Sequence, residues 1–208
     1  DLGVMTEAKK LIPHIPIHIS TQTSIVSPAA ALAYASLGAT RLVLARELSL
    51  EDIKEIRAAL PEEVEIEAFV HGSMCVSYSG RCMLSHMMTG RDANRGKCTQ
   101  PCRWNYTIRN YEIAEEKRPD CVMPIEEVNG ETFIMASRDT CTIEHIPELV
   151  EAGINSFKIE GRMKSPEYVY ETARIWRTLL DEGRPATDAE LARLAGTFSR
   201  GGFTDGYF

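Results

Sequence analysis

The sequence lacks the features that would send the chain into a membrane or along the secretory route. None of its apolar runs approaches the roughly 20 residues of a membrane-spanning helix. Its first residues show neither the charged nor the apolar region of a signal peptide. It also lacks the H-E-x-x-H motif of zinc peptidases and the G-x-S-x-G elbow of serine hydrolases. We therefore expect a cytoplasmic protein without a membrane partner, and a peptidase activity would need other catalytic residues.

The composition is that of a globular protein with one sizeable core. The 208 residues are 44% hydrophobic and 25% charged. A formal net charge of −7 argues against indiscriminate binding of polyanions. Basic residues nevertheless cluster locally, at Arg81, Arg91, Arg95, Lys97 and Arg103. This cluster is either a solvated loop whose cations offset a nearby negative charge, or a patch that receives a phosphate or an RNA backbone.

Four of the six cysteines lie in one polar stretch with the spacing C-x6-C-x15-C-x3-C, at Cys75, Cys82, Cys98 and Cys102. Four thiolates gathered at the end of a strand can hold a tetrahedral zinc ion or an iron–sulfur cluster. Only the last pair has the close spacing of a structural zinc site, and the wider spacing suits a larger cluster. Spacing alone leaves a cluster, a zinc ion and unliganded thiols open. A disulfide framework is disfavoured, because a chain of this length can bury its own core.

The motif E-x-F-x-H-G-x-x-C-x-x-x-S-G-x-C, from Glu67 to Cys82, resembles the signature of the peptidase U32 family. The stretches GRDANRGKCTQPCRW, MASRDTCTIEHIPEL and SFKIEGRMKSPEYV resemble the same family, in the same order. The family was first described as collagenase-like proteases. It also includes tRNA and ribosomal RNA hydroxylation proteins and ubiquinone-biosynthesis accessory proteins, and these carry an oxygen-sensitive 4Fe–4S cluster on cysteines of this region.

The resemblance therefore implies a 4Fe–4S cluster on the clustered cysteines, with zinc as the alternative. The first three of the four are the firmest ligands. Cys102 is favoured as the fourth because it shares a short loop with Cys98. Cys121, in a charged and irregular segment, could replace it if that segment folds back over the cluster. Cys141 opens a predicted helix and is better explained as a small buried residue, although a thiolate at a helix N-terminus would be activated.

Apolar strands alternate with helices at a nearly regular step. The predicted strands begin near residues 15, 41, 65, 132 and 156, and helices are predicted over 28–37, 49–60, 143–152 and 166–180. Without the cysteine-rich segment the step is about 25 residues, which predicts parallel strands with right-handed crossovers. We expect an α/β fold, a partial (β/α)8 TIM-like barrel of about five β/α units with a cysteine-rich insertion.

The predicted organisation has four parts. Residues 1–72 form the first barrel units, 73–130 the cluster-binding insertion, 131–185 the remaining units, and 186–208 an exit segment towards a C-terminal region. The resemblance implies about three more units ahead of Asp1, so we expect the chain to be a piece of a longer protein. An open barrel exposes two strand edges, and we therefore expect the piece alone to be inactive.

In a parallel barrel the active site lies at the carboxyl ends of the strands. Polar residues follow every predicted strand at that point. They are Ser20, Thr21, Gln22, Arg46, Glu47, His71, Ser137, Arg138, Glu160 and Arg162. Such an interior ring requires a ligand, water or mutual ion pairs. The alternative to a catalytic ring is structural pairing, for example of Glu47 with Arg162 or of Glu160 with Arg46.

The residues predicted to be catalytic are His71, Arg46, Glu47, Glu160 and Arg162. The residues predicted to bind substrate are Gln22, Arg81 and Arg138, since arginines form a fork for a carboxylate or phosphate. His71 would serve as a general acid/base or donate a hydrogen bond to a cluster sulfide. The alternative is an ordinary core histidine.

The resemblance implies a cytoplasmic, iron–sulfur-dependent enzyme that takes part in hydroxylating RNA, with a small carboxylate as a second substrate. A metal-dependent or thiol peptidase is one alternative. Its thiol form would use His71 and Cys75, but a cluster ligand could not also be the nucleophile. A non-catalytic accessory protein, whose cluster organises a partner interface, is another alternative. Family members that work as heteromers make a heteromer or a homo-oligomer a further expectation.

Overall fold

The computed structural model describes residues 1–104, 112–115, 118–124, 137–199 and 202–208, with side chains excluded in the two short central stretches. The chain divides into two compact units. Unit 1 combines Asp1–Arg81 with Arg138–Phe208, and unit 2 is Cys82–Ser137. The predicted insertion, 73–130, overlaps unit 2. The predicted strand at 132–136 lies outside the described residues.

The helices, in chain order, are α1 (Leu2–Leu11), α2 (Pro28–Ser36), α3 (Leu50–Ala59), α4 (Leu84–Thr89), α5 (Ile146–Glu151), α6 (Pro166–Glu182) and α7 (Asp188–Thr197). The strands are β1 (His18–Ile19), β2 (Arg41–Val43), β3 (Glu65–Ser73), β4 (Glu112–Glu115), β5 (Arg118–Pro124), β6 (Asp139–Cys141), β7 (Ser156–Glu160) and β8 (Phe203–Thr204). No helix of the described residues is long and apolar enough to cross a membrane.

The sheet of unit 1 is built around β3, its longest strand. Glu67 of β3 pairs with Val43 of β2 on one side and with Ser156 of β7 on the other, and both pairings are parallel. β1 continues the sheet beyond β2, also in parallel. The α/β class with a largely parallel sheet is therefore confirmed, and the partial barrel stays a prediction.

β6 corrects the expectation that every strand is parallel. It runs antiparallel to the end of β3, with His71 opposite Cys141, and β8 pairs in parallel with β6. A parallel neighbour needs a crossover, usually a helix, whereas an antiparallel neighbour can return directly along the preceding strand. Unit 2 occupies the connection between β3 and β6, so the helical repeat is interrupted at this point.

Local capping signals set the helix starts that the sequence predicts. Ser49 begins α3 with a capping box, in which its hydroxyl accepts the Asp52 N–H at 3.2 Å and the Asp52 carboxylate accepts the Ser49 N–H at 2.9 Å. Ser165 caps α6 by accepting the Tyr168 N–H at 3.2 Å. The predicted starts of α2, α3 and α6 are confirmed to within a residue.

The helix-facing side of the sheet carries the core. The buried cluster includes Ile66, Ala68 and Val70 of β3, Ile53 and Ile56 of α3, and Ile175 and Leu179 of α6. Each of these side chains loses almost all its contact with water, and a fully buried Ile or Leu contributes roughly 1.5–3 kcal/mol. This core fixes the sheet, and with it the loops at the carboxyl ends of β2 and β3.

Candidate functional site

Ser79 is the centre of a hydrogen-bonded latch at the carboxyl end of β2. Its N–H donates to Glu47 Oε1 at 3.1 Å, and its hydroxyl donates to Glu47 Oε2 at 2.9 Å. The N–H and the Nε of Arg46 both donate to the Ser79 hydroxyl oxygen, at 3.2 and 3.1 Å. Ser79 is completely buried. The latch therefore ties the loop between Cys75 and Cys82 to the two residues that follow β2.

The turn after β1 closes the latch from the other side. The Thr21 hydroxyl donates to the Leu44 carbonyl oxygen at 2.9 Å and lies 3.3 Å from the Ser79 hydroxyl. Gly80 has a positive φ of +72°, and a Cβ on it would collide with the carbonyl oxygen of Gln22. The S-G pair of the motif is thus explained: the serine supplies the bonds and the glycine permits the close approach.

A small cleft opens beside the latch in unit 1. Its volume is about 70 Å³, and its lining includes Arg46, Glu47, Cys75, Tyr78 and Tyr207. Water occupies about 30 Å³ per molecule in the liquid, so the cleft admits a small group rather than a nucleotide. The terminal nitrogens of Arg46 form no hydrogen bond or ion pair among the described residues. A guanidinium, a carboxylate and a thiol therefore meet in one small space.

His71 lies in the interior of unit 1. It is 2% exposed, and its ring centroid is 6.0 Å from that of Tyr168, 6.2 Å from that of Trp176 and 5.6 Å from that of Phe203. Neither ring nitrogen has a hydrogen-bond partner among the described residues. Burial lowers the pKa of His71 to about 4, with Asp139 opposing the shift. The ring is neutral near pH 7, as a core histidine would be, and its catalytic role stays a prediction.

The remaining predicted site residues of unit 1 are not brought together into a ring. Arg162 is exposed, and its N–H donates to Glu160 Oε1 at 2.7 Å. Arg81 and Arg138 are exposed and form no ion pair among the described residues. The alternative pairings of Glu47 with Arg162 and of Glu160 with Arg46 are also absent from the ion pairs that the structure describes. The polar ends of β2 bind Ser79 instead.

A charged network on the open face of the sheet was missed by the sequence reasoning. Glu67 accepts hydrogen bonds from Lys158 Nζ at 2.7 Å, Ser156 Oγ at 3.2 Å and Arg41 at 3.3 Å. Burial opposes ionisation of Glu67, but Lys158, Ser156 and Arg41 together hold its pKa below the ordinary value. The signal was available, since Glu67 is a charged residue inside an otherwise apolar strand of the motif.

The cysteines divide between the two units. Cys75 belongs to unit 1, and Cys82, Cys98 and Cys102 belong to unit 2. All four are half-buried thiols that form no disulfide. The Gln100 N–H points at Cys98 Sγ, 3.2 Å away, a contact that strengthens when the sulfur is a thiolate. Within either unit, no three His, Cys, Asp or Glu side chains of the described residues are grouped to hold a metal ion.

The donor chemistry separates the ligand candidates. The four clustered cysteines are partly exposed soft donors, which suit an iron–sulfur cluster or zinc. Cys141 is buried in β6, and burial raises the pKa of its thiol to about 11, so it is a poor metal ligand. The side chain of Cys121 lies outside the described residues.

Comparison with known proteins places the sequence among a defined set of relatives. A family model described as "Peptidase family U32" matches residues 1–208. The chain is 36% identical to "tRNA hydroxylation protein P" of Escherichia coli (strain K12), over 100% of this chain and 53% of that protein. It is 40% identical to the protein of the same name from Helicobacter pylori (strain J99), over 99% of this chain and 48% of that protein. It is 35% identical to "Collagenase" of Porphyromonas gingivalis (strain W83), over 100% of this chain and 50% of that protein.

The chain therefore spans about half the length of the curated relatives it matches. No solved structure matches it significantly.

Proposed function

Because this chain belongs to peptidase family U32, we propose that it takes part, within a longer protein, in hydroxylating RNA with the help of an iron–sulfur cluster. The observation that carries the proposal is the set of four half-buried thiols, two of which, Cys75 and Cys82, flank the loop that Ser79 holds. The similarity to a protein named for tRNA hydroxylation supports RNA as the substrate class. RNA and metal-binding thiols both fit a reducing cytoplasm.

Cys75, Cys82, Cys98 and Cys102 would hold the cluster. Bound there, it would supply one-electron redox chemistry or activate a substrate. The chain's own contribution starts with the latch, because a buried serine bonded to Glu47 and Arg46 restricts the position of the Cys75 loop. Zinc is the alternative occupant, since its ligand chemistry is the same.

The cleft beside Cys75 is suited to a small anionic second substrate. Arg46 keeps its terminal nitrogens for such a group, while its Nε holds Ser79 at 3.1 Å. A planar guanidinium binds a carboxylate through two parallel hydrogen bonds. The cleft's volume of about 70 Å³ leaves room for a carboxylate group and excludes a nucleobase with its sugar. Arg81 and Arg138, both exposed, are further candidates to bind the same substrate.

The test is hydroxylated-nucleoside content of RNA from cells. A strain without this protein is complemented with the full-length protein or with Cys75→Ala, and its tRNA and ribosomal RNA are digested for mass spectrometry. We expect one hydroxylated nucleoside to disappear on deletion, return with the parent protein and stay absent with the variant. Unchanged nucleosides in the deletion strain would contradict the proposal.

Peptidase activity is the second candidate, and it rests on the resemblance to a protein named collagenase. The described residues do not provide its catalytic pair. His71 is buried among aromatic rings and forms no hydrogen bond to Cys75, so it does not activate that thiol as a base would. Cleavage of gelatin by the full-length protein that is lost in Cys75→Ala, without any bound metal, would favour this candidate.

A further inference from the structure

The charge of the chain is unevenly distributed. Residues 82–104 contain four Arg or Lys residues and a single acidic residue, Asp92, in a chain whose net charge is −7. Arg91, Arg95 and Lys97 are exposed and form no ion pair among the described residues. The exposed cations Lys10, Lys54 and Arg177 of unit 1, by contrast, are each paired with a carboxylate. We call Arg91, Arg95 and Lys97 the basic loop.

The single acidic residue of this segment is used to build the loop. Asp92 Oδ1 accepts the Asn94 N–H at 2.9 Å, and the Asp92 carbonyl oxygen accepts the N–H groups of Arg95 and Lys97 at 3.2 and 3.1 Å. Gly96 takes the positive φ of +77° that closes this turn. The cations are therefore carried on a defined turn rather than on a free tail.

A buried serine fixes both ends of the basic loop. The Ser85 hydroxyl donates to the Arg91 carbonyl oxygen at 2.7 Å and accepts the Thr99 N–H at 3.2 Å. Ser85 is completely buried in unit 2. Holding the two ends together lowers the entropy that the loop loses when it binds a partner.

An exposed aromatic ring lies in the same bonded network. Trp104 is 39% exposed, and its indole N–H donates to the Thr99 carbonyl oxygen at 3.1 Å. Thr99 in turn bonds to Ser85, so the ring and the basic loop share one anchor. Unstacked RNA bases stack on aromatic side chains, and their phosphates bind nearby Arg and Lys residues. An oriented tryptophan beside unpaired cations is the arrangement that such binding requires.

We propose that the basic loop and Trp104 form a docking surface for a single-stranded loop of RNA. The cations contact phosphates, and the indole ring stacks on an unpaired base. This inference rests on the proposed function, because it takes RNA to be the substrate, and it deepens that function by assigning the surface that receives it. An acidic protein segment is the rival occupant, and it has no base to stack on Trp104.

The experiment measures binding of a fluorescent RNA hairpin with a single-stranded loop to the full-length protein at several salt concentrations. The test variant combines Arg91→Ala, Arg95→Ala and Lys97→Ala. The matched control combines Lys10→Ala, Lys54→Ala and Arg177→Ala, which change the net charge equally but remove ion-paired cations. Each lost phosphate contact on a single strand lowers the salt slope by about 0.7, so we expect a fall of about 2 in the test variant alone.

Substitution of Trp104 separates stacking from charge. We expect Trp104→Ala to weaken hairpin binding by roughly 5- to 150-fold without changing the salt slope. Trp104→Phe keeps an aromatic ring and should recover part of that loss. A fully paired RNA duplex offers no free base, so its weaker binding should be insensitive to Trp104→Ala.

The outcomes distinguish this inference from the proposed function. A parent protein that binds the hairpin, with a test variant whose affinity and salt slope match those of the control, overturns the docking surface and leaves the proposed function standing. A parent protein that binds no RNA at all contradicts both. A parent that binds polyglutamate of matched charge as tightly as the hairpin overturns the proposal in favour of a protein interface. Circular dichroism of each variant confirms that it is folded.

Discussion

Replacing Ser79 by alanine tests the latch directly. The change removes the hydroxyl that donates to Glu47 Oε2 at 2.9 Å and accepts from the N–H and Nε of Arg46, while the backbone N–H of residue 79 still donates to Glu47. A hydrogen bond to a charged group contributes roughly 1.5–3 kcal/mol, and a buried donor left without a partner costs about 1–3 kcal/mol. Glu47 and Arg46 are half-buried, so water can reach part of the vacated site. We expect a loss of about 2 kcal/mol.

The assay is urea denaturation of the full-length protein, read as the midpoint with an unchanged slope. Ser77→Ala is the matched control, because Ser77 lies in the same loop, is half-buried and forms no side-chain hydrogen bond among the described residues. Glu47→Ala, alone and combined with Ser79→Ala, completes a double-mutant cycle, and we expect a coupling of at least about 1 kcal/mol. Equal stabilities of Ser79→Ala and Ser77→Ala, or additive effects in the cycle, would refute the latch.

Three further predictions follow from the same geometry. Gly80→Ala should cost more than about 2 kcal/mol, since it adds a clash with Gln22 to the strain of a positive φ, whereas Gly90→Ala, at φ +68° with open space around it, should cost only about 1 kcal/mol; urea midpoints compare them. His71 has its pKa lowered to about 4, so stability should fall by up to about 3 kcal/mol from pH 6.5 to pH 4, as the unfolded state takes up the proton, and His71→Gln should flatten this dependence. Cys141→Ala should keep the metal content of the parent, and a loss of metal would make Cys141 a ligand.

Local sequence signals predict the helices well, because each signal acts within a few residues. Ser49 with Asp52 and Ser165 with Pro166 set the starts of α3 and α6 through bonds that span one turn. The β6 strand is different. Its antiparallel pairing with β3 joins residues about 70 positions apart, as in the pair of His71 and Cys141, and nothing in its short sequence signals the direction of the strand.

The site was harder to predict than the fold for two physical reasons. Strand alternation would put His71 on the same face as Glu67 and Phe69, but a bulge between Phe69 and His71 shifts the register. His71 therefore lies among the aromatic rings of α6 and β8 instead. The latch joins Ser79 to Glu47 across 32 positions, and such a long-range bond leaves no periodic trace in the sequence.

The measurement that tests the account most directly is the iron, sulfide and zinc content of the full-length protein purified without oxygen. It is made on the parent and on alanine variants at each of the cysteines Cys75, Cys82, Cys98, Cys102, Cys121 and Cys141. We predict about four irons and four sulfides per chain in the parent, lost on substitution of the first four cysteines and retained in Cys141→Ala. One zinc per chain, or no metal in well-folded protein, would contradict the proposed cluster.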